Sequence, residues 1–128
     1  MLTHSFHLLT AATPDRVWGA LTCPETASTF LHGLSPRTCW SNGASVEWHS
    51  PVAAIPGQVL HADPPYRLSV TVEDSSGTCT YLTWQVRAAD DGTVIRLDVA
   101  EAPGAGSELD LEDVWLPVLQ RLGELLRA

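Results

Sequence analysis

The sequence predicts an α+β fold in which a long C-terminal helix lies across an antiparallel sheet, with two short helices after the first strand. Two observations carry most of that expectation. Residues 110–128 place Leu111, Val114, Trp115, Val118, Leu119, Leu122, Leu125 and Leu126 at i, i+3, i+4, i+7 spacing, the stripe of one amphipathic helix. Residues 37–101 instead alternate apolar and polar side chains, as half-buried antiparallel strands do. A helix laid across such a sheet leaves a space between the two layers, and the use of that space decides the function.

In chain order, residues 3–11 read as the first strand, with Phe6, Leu8 and Thr10 on one face. Thr13-Pro14-Asp15 opens a helix: a capping hydroxyl, a proline suited to the first turn and an acid at the positive end of the dipole. Val17, Trp18 and Leu21 form its buried face. Pro24-Glu25 starts a second short helix that ends near Leu31, closed by His32-Gly33. Arg37–Ser41 and Ala44–His49 then flank Asn42-Gly43, a hairpin turn signal. Further strands are expected over Gly57–Ala62, Tyr66–Asp74, Thr78–Arg87 and Thr93–Glu101. Their turns are Asp63-Pro64-Pro65, Ser75-Ser76-Gly77 and Asp90-Asp91-Gly92. Pro103-Gly104-Ala105-Gly106 is a loop before the last helix. Asp110 is its expected cap, which puts Pro117 about two turns in, where the helix should bend and residues 109–114 form a movable rim. A cap at Asp113, with a separate turn before it, is the alternative.

Composition narrows the function. The chain has 128 residues, which suits one domain spanning 1–128. Seven Arg, no Lys and fifteen acids give a formal charge of -8. Such a surface repels nucleic acid and anionic lipid, and the lack of Lys removes Schiff-base and P-loop chemistry. The first residues carry no basic-then-apolar leader, and no run is apolar and long enough to span a membrane. The three cysteines, Cys23, Cys39 and Cys79, are scattered. A reduced, cytoplasmic protein is expected. His4 and His7 fall on opposite strand faces, and His32, His49 and His61 have no partner at ligand spacing. Neither a metal nor a cofactor is expected.

Two strings carry a family resemblance. Ala12-Thr13-Pro14-Asp15-Arg16-Val17-Trp18-Gly19-Ala20-Leu21-Thr22 resembles the strand-to-helix entry of START-like (SRPBCC, helix-grip) proteins. Gly57-Gln58-Val59-Leu60-His61-Ala62-Asp63-Pro64-Pro65-Tyr66-Arg67-Leu68 resembles their mid-sheet strand and Pro-Pro turn. Both are most similar to the bacterial branch related to the activator of heat-shock-protein-90 ATPase. The resemblance implies a curved antiparallel sheet gripping the C-terminal helix, with an apolar cavity between them. It also implies three functional classes: carriers of hydrophobic molecules, polyketide cyclases or aromatases, and a chaperone-activating interaction module.

The five tryptophans are the telling residues. Trp18 belongs to the first helix core. Trp48 shares a face with Val46, Trp84 with Leu82 and Val86, and Trp115 lies on the helix stripe, while Trp40 sits before the hairpin. These indoles either fill the space between layers or line a pocket for a planar apolar ligand. The expected lining is Trp40, Trp48, Leu82, Trp84, Trp115 and Leu119. The expected partner is a small hydrophobic or aromatic molecule, bound by a monomer or homodimer. A catalytic reading needs polar groups inside, yet Tyr81, Arg96 and Asp98 fall on outward faces and His49 is out of phase with Trp48. No catalytic residue is assigned.

Overall fold

The first strand, β1 (Leu2–Thr10), is followed by α1 (Pro14–Thr22) and α2 (Pro24–Phe30). Six strands come next: β2 (Ser35–Arg37), β3 (Ser45–His49), β4 (Ala54–Asp63), β5 (Arg67–Glu73), β6 (Cys79–Ala89) and β7 (Gly92–Glu101). The chain closes on α3 (Leu111–Arg127). The computed structural model describes residues 2–73, 79–101 and 111–127. The Ser75-Ser76-Gly77 turn, the Pro103–Gly106 loop and the Asp110 cap lie outside them.

The strands form one curved antiparallel sheet in the order β1-β7-β6-β5-β4-β3-β2. Six sequential strands, β2 to β7, make a meander, whereas β1 reaches across the chain to pair with β7 from Leu2↔Glu101 to Thr10↔Thr93. The expected first strand is therefore part of the sheet, short of Ala11. Thr13 caps α1 as its composition requires: its side-chain oxygen accepts the Arg16 N–H at 3.2 Å. Val17, Ala20 and Leu21 are buried beneath it.

One inner face carries the core. Phe6, Leu68, Val70, Leu82, Trp84, Val86, Ile95, Leu97 and Val99 are buried there with Val118, Leu119, Leu122 and Leu126 of α3. Gly123 lets the helix come close to β1, because a Cβ at that position would sit 3.3 Å from a Leu8 methyl. Val118, Leu119, Leu122 and Leu126 are four of the eight residues of the i, i+3, i+4 stripe, and Val114, Trp115 and Leu125 are partly buried. The helix already includes residues 111 and 112, which excludes a start at Asp113 with a separate turn before it.

The Asn42-Gly43 expectation needs correction. Arg37–Ser41 is not a strand; only Ser35–Arg37 pairs with β3, through Pro36↔Trp48. Trp40 adopts φ 56° and Gly43 φ 83°, so the segment between β2 and β3 is not extended. Its polar groups serve β4 instead. The Asn42 amide oxygen accepts from the Ala62 N–H at 2.8 Å, and the Gly43 N–H donates to the Val59 carbonyl at 2.7 Å. A turn that looks like a two-residue hairpin in sequence is here a brace along a neighbouring strand.

β4 also starts earlier than its expected Gly57. Pro56 lies inside it, opposite Glu47 of β3. Proline is tolerated because β4 meets β5 only from Val59 onward, so Pro56 has no second neighbour demanding its missing N–H. Where β4 and β5 part, Thr71 of β5 finds substitute partners. Its hydroxyl accepts from the Gln58 N–H at 2.9 Å and its carbonyl from the Trp48 indole N–H at 3.0 Å. Thr71 and Ser69, which alternate with Leu68, Val70 and Val72, are buried too; Ser69 and Thr83 share a hydroxyl–hydroxyl bond at 3.0 Å.

Candidate functional site

Cross-strand rows explain where the interior is filled and where it is open. In register, Leu68, Trp84 and Leu97 form one row on the inner face, Val70, Leu82 and Val99 the next, and Val72, Thr80 and Glu101 the last. The first row is solid: Trp84 is 2% exposed and meets Phe30 of α2 edge-on, ring centroids 6.4 Å apart. The last row is not covered to the same extent. A cavity of about 250 Å³ opens over it, between the sheet and the N-terminal half of α3.

Its floor is Val72, Thr80, Leu82 and Glu101, with Trp48 of β3 alongside. Leu31, His32 and Leu34, from the segment after α2, form a second wall, and Val114 and Trp115 of α3 form the roof. The lining is mainly apolar, as ligand sites are. Its polar groups are Thr80 and Glu101, adjacent in register on the floor, and His32 on the wall.

His32 joins two of these walls. The chain leaves α2 with His32 at φ 53° and Gly33 at φ 84°, a left-handed turn that glycine favours and that histidine tolerates better than most residues. The exposed His32 ring then stands beside α3. Its Nε2 bonds the Val114 carbonyl at 2.8 Å, and since a carbonyl only accepts, Nε2 carries the proton. The same ring meets Trp115 edge-on at 6.4 Å. Pro117 removes one backbone bond from the helix, but to the carbonyl of residue 113 and not to that of Val114. The neighbouring Val114 carbonyl takes a side-chain donor from outside the helix.

The two cavity indoles are satisfied differently. The Trp48 N–H is committed to Thr71. The Trp115 N–H is buried with no acceptor among the described residues, an uncommon state for a buried donor.

Of the six residues expected to line the site, the structure brings Trp48, Leu82 and Trp115 together around the cavity. Trp84 and Leu119 do not line it; they are packed in the core, buried to the same degree as Trp48 and Leu82. Leu119 lies one helical turn beyond Trp115, over the deeper rows. Trp40 packs on the core from outside any strand. Sequence reasoning missed His32, Thr80 and Glu101. His32 read only as a helix terminator, and the other two become site residues only through register.

A larger groove of about 370 Å³ lies elsewhere, lined by residues that include Ser45, Gln58, Thr71, Glu73 and Tyr81. Tyr81 thus faces away from the interior, on the side expected for it. Open polar walls of this kind offer a hydrophobic molecule little. Among the described residues no three His, Cys, Asp or Glu side chains are placed to hold a metal. No helix there is long and apolar enough to cross a membrane.

Cys39 is the exposed member of the three free cysteines. Hydrogen bonds from the Ser41 side chain and backbone hold its thiol below the ordinary range, which raises its thiolate fraction near neutral pH. Iodoacetamide at limiting concentration is expected to label Cys39 before Cys23 and Cys79; peptide mapping by mass spectrometry gives the order.

Comparison with known proteins supplies the family. The family model described as "Activator of Hsp90 ATPase homolog 1-like protein" matches residues 11–127. No curated protein matches the sequence. Among solved structures, protein MLL2253 from Mesorhizobium loti superposes with a TM-score of 0.82 at 18% identity, covering 98% of this chain and 97% of that one. CalU16 from Micromonospora echinospora gives 0.78 at 19% identity, over 98% and 74%. The Aha1 dimer from Colwellia psychrerythraea gives 0.75 at 14% identity, over 98% and 96%. At these identities the likeness concerns the fold, the helix-grip arrangement that the two sequence strings resemble.

Proposed function

This chain belongs to the Activator of Hsp90 ATPase homolog 1-like family, and from that premise we propose that it binds a small aromatic molecule in the cavity beneath α3, residues 1–128 acting as one START-like domain. The observation that carries the reading is the cavity itself: an apolar space of about 250 Å³ between two indoles, one with an unused N–H. The volume falls below the roughly 300–1,000 Å³ of drug-sized sites, which favours a molecule of one or two rings over a steroid. A ring between Trp48 and Trp115 gains apolar contact, and a ligand acceptor that draws out the Trp115 N–H gives that donor its missing partner.

Tryptophan fluorescence tests this. One- and two-ring probes such as a naphthol are expected to quench emission saturably. Trp115→Ala is expected to weaken binding at least about tenfold, the loss of about 1.4 kcal/mol, with little change in the circular dichroism spectrum. A probe panel giving only linear, non-saturating quenching rules the reading out.

A cyclase-like enzyme is the second reading, favoured by Glu101 and Thr80 side by side on the cavity floor. A carboxylate and a hydroxyl there are suited to moving a proton to or from a bound carbonyl compound. A chaperone-activating interaction module ranks third, because it makes no use of an open interior.

A further inference from the structure

The two edges of the sheet are built differently. At one end β2 is three residues long and contains Pro36, the blunt, proline-bearing edge that resists pairing. At the other end β1 offers nine residues, Leu2–Thr10, with no proline, glycine, acid, arginine or lysine. Its register with β7 runs without a shift, so no bulge turns the edge away. Among the described residues, no backbone bond joins β1 to anything but β7. Alternate residues of such a strand direct N–H and C=O groups outward, a template for another strand.

We propose that β1 pairs antiparallel with β1 of a second copy of this chain, forming a two-fold dimer with a continuous fourteen-stranded sheet. Charge selects this edge. Two chains of -8 repel one another over most of their surfaces, and β1 is a long segment where they meet without setting acid against acid.

Full overlap of residues 2–10 places the two-fold axis at Phe6. Thr3 then lies opposite Leu9 of the second copy, Ser5 opposite His7, and His4 opposite Leu8. On the outer face this covers Leu9, which is 64% exposed. It also adds His7 of the second copy to the row in which Ser5 donates to Asp98 at 2.5 Å. On the inner face a groove of about 360 Å³ runs beside Leu8, lined by Gln120, Gly123, Glu124 and Arg127 of α3. His4 of the second copy enters that groove, within reach of the Glu124 carboxylate. An edge of roughly 30 Å and a width of roughly 20 Å across both faces give on the order of 600 Å² per copy. The total of roughly 1,200 Å² reaches the lower bound of stable, specific interfaces.

Sedimentation velocity of the full chain over about 1–100 µM tests the proposal. The wild type is expected to dimerise. Thr3→Lys with Leu9→Lys sets ammonium against ammonium at both ends of the paired strands and is expected to weaken dimerisation at least about tenfold. Thr3→Lys with Leu9→Asp sets opposite charges there and is expected to restore it. Because both variants change the same two exposed positions, loss in one and recovery in the other separates interface from folding. A monomeric wild type, a Lys/Lys variant that dimerises as tightly as wild type, or a Lys/Asp variant that does not recover overturns the pairing.

Discussion

Gly57→Ala is expected to destabilise the fold by about 3–5 kcal/mol, a large effect for one methyl group. A Cβ at residue 57 would stand 2.0 Å from the Thr71 carbonyl oxygen and 2.7 Å from the Trp48 indole nitrogen. Both atoms belong to the same hydrogen bond, and one of them is backbone, so the contact cannot be relieved by turning a flexible side chain. Moving the indole away leaves a buried carbonyl and a buried N–H unpaired, about 1–3 kcal/mol for such a loss. Moving β4 instead disturbs its pairing with β3. The overpacking itself adds about 1–3 kcal/mol. Urea unfolding followed by circular dichroism measures the sum; a loss under about 1 kcal/mol would show that the indole does not lie across Gly57.

Trp84→Ala is expected to cost about 3–5 kcal/mol as well, for a different reason: it empties a packed site rather than crowding one. Trp84 is 2% exposed, with Phe30 against its ring, and its row lies deeper than the cavity. Its truncation should leave the binding constant for a small aromatic probe nearly unchanged in the folded fraction. Trp115→Ala should do the reverse, with a modest loss of stability and a large loss of binding. A Trp84 variant that loses binding as severely as the Trp115 variant would mean that the cavity extends to the deeper rows.

That contrast marks how far the sequence alone could reach. Period and turn chemistry identify the three helices and every strand but β2, because alternation and the 3.6-residue stripe follow from burying one face; β2 is Ser35–Arg37 and not the expected Arg37–Ser41. They put Trp48, Trp84 and Trp115 on inner faces correctly. Whether an inner face is packed or open depends on which rows lie under the core of α3 and which under its first turns, a matter of register between strands far apart in sequence. Trp84 and Leu119 have the same local pattern as Leu82 and Trp115, yet sit one row or one helical turn deeper. The Asn42-Gly43 brace escaped for a similar reason, since its hydrogen-bond partners, Val59 and Ala62, are non-local. His32 was legible as the end of α2, but its bond to Val114 spans 82 positions.

The pairing of β1 with β7 also governs the order in which the chain can fold. Strands β3 to β7 meet their neighbours through short connections, so each hairpin can close early at little cost in loop entropy. β1 is made first but its register partner for Leu2 is Glu101, and its pairing must wait for most of the chain to be synthesised. During translation it is an uncharged, strand-forming segment without its mate, exposed for the longest time of any strand. The step that completes the sheet is therefore the least local one, and the rate of refolding should be set there rather than within the meander.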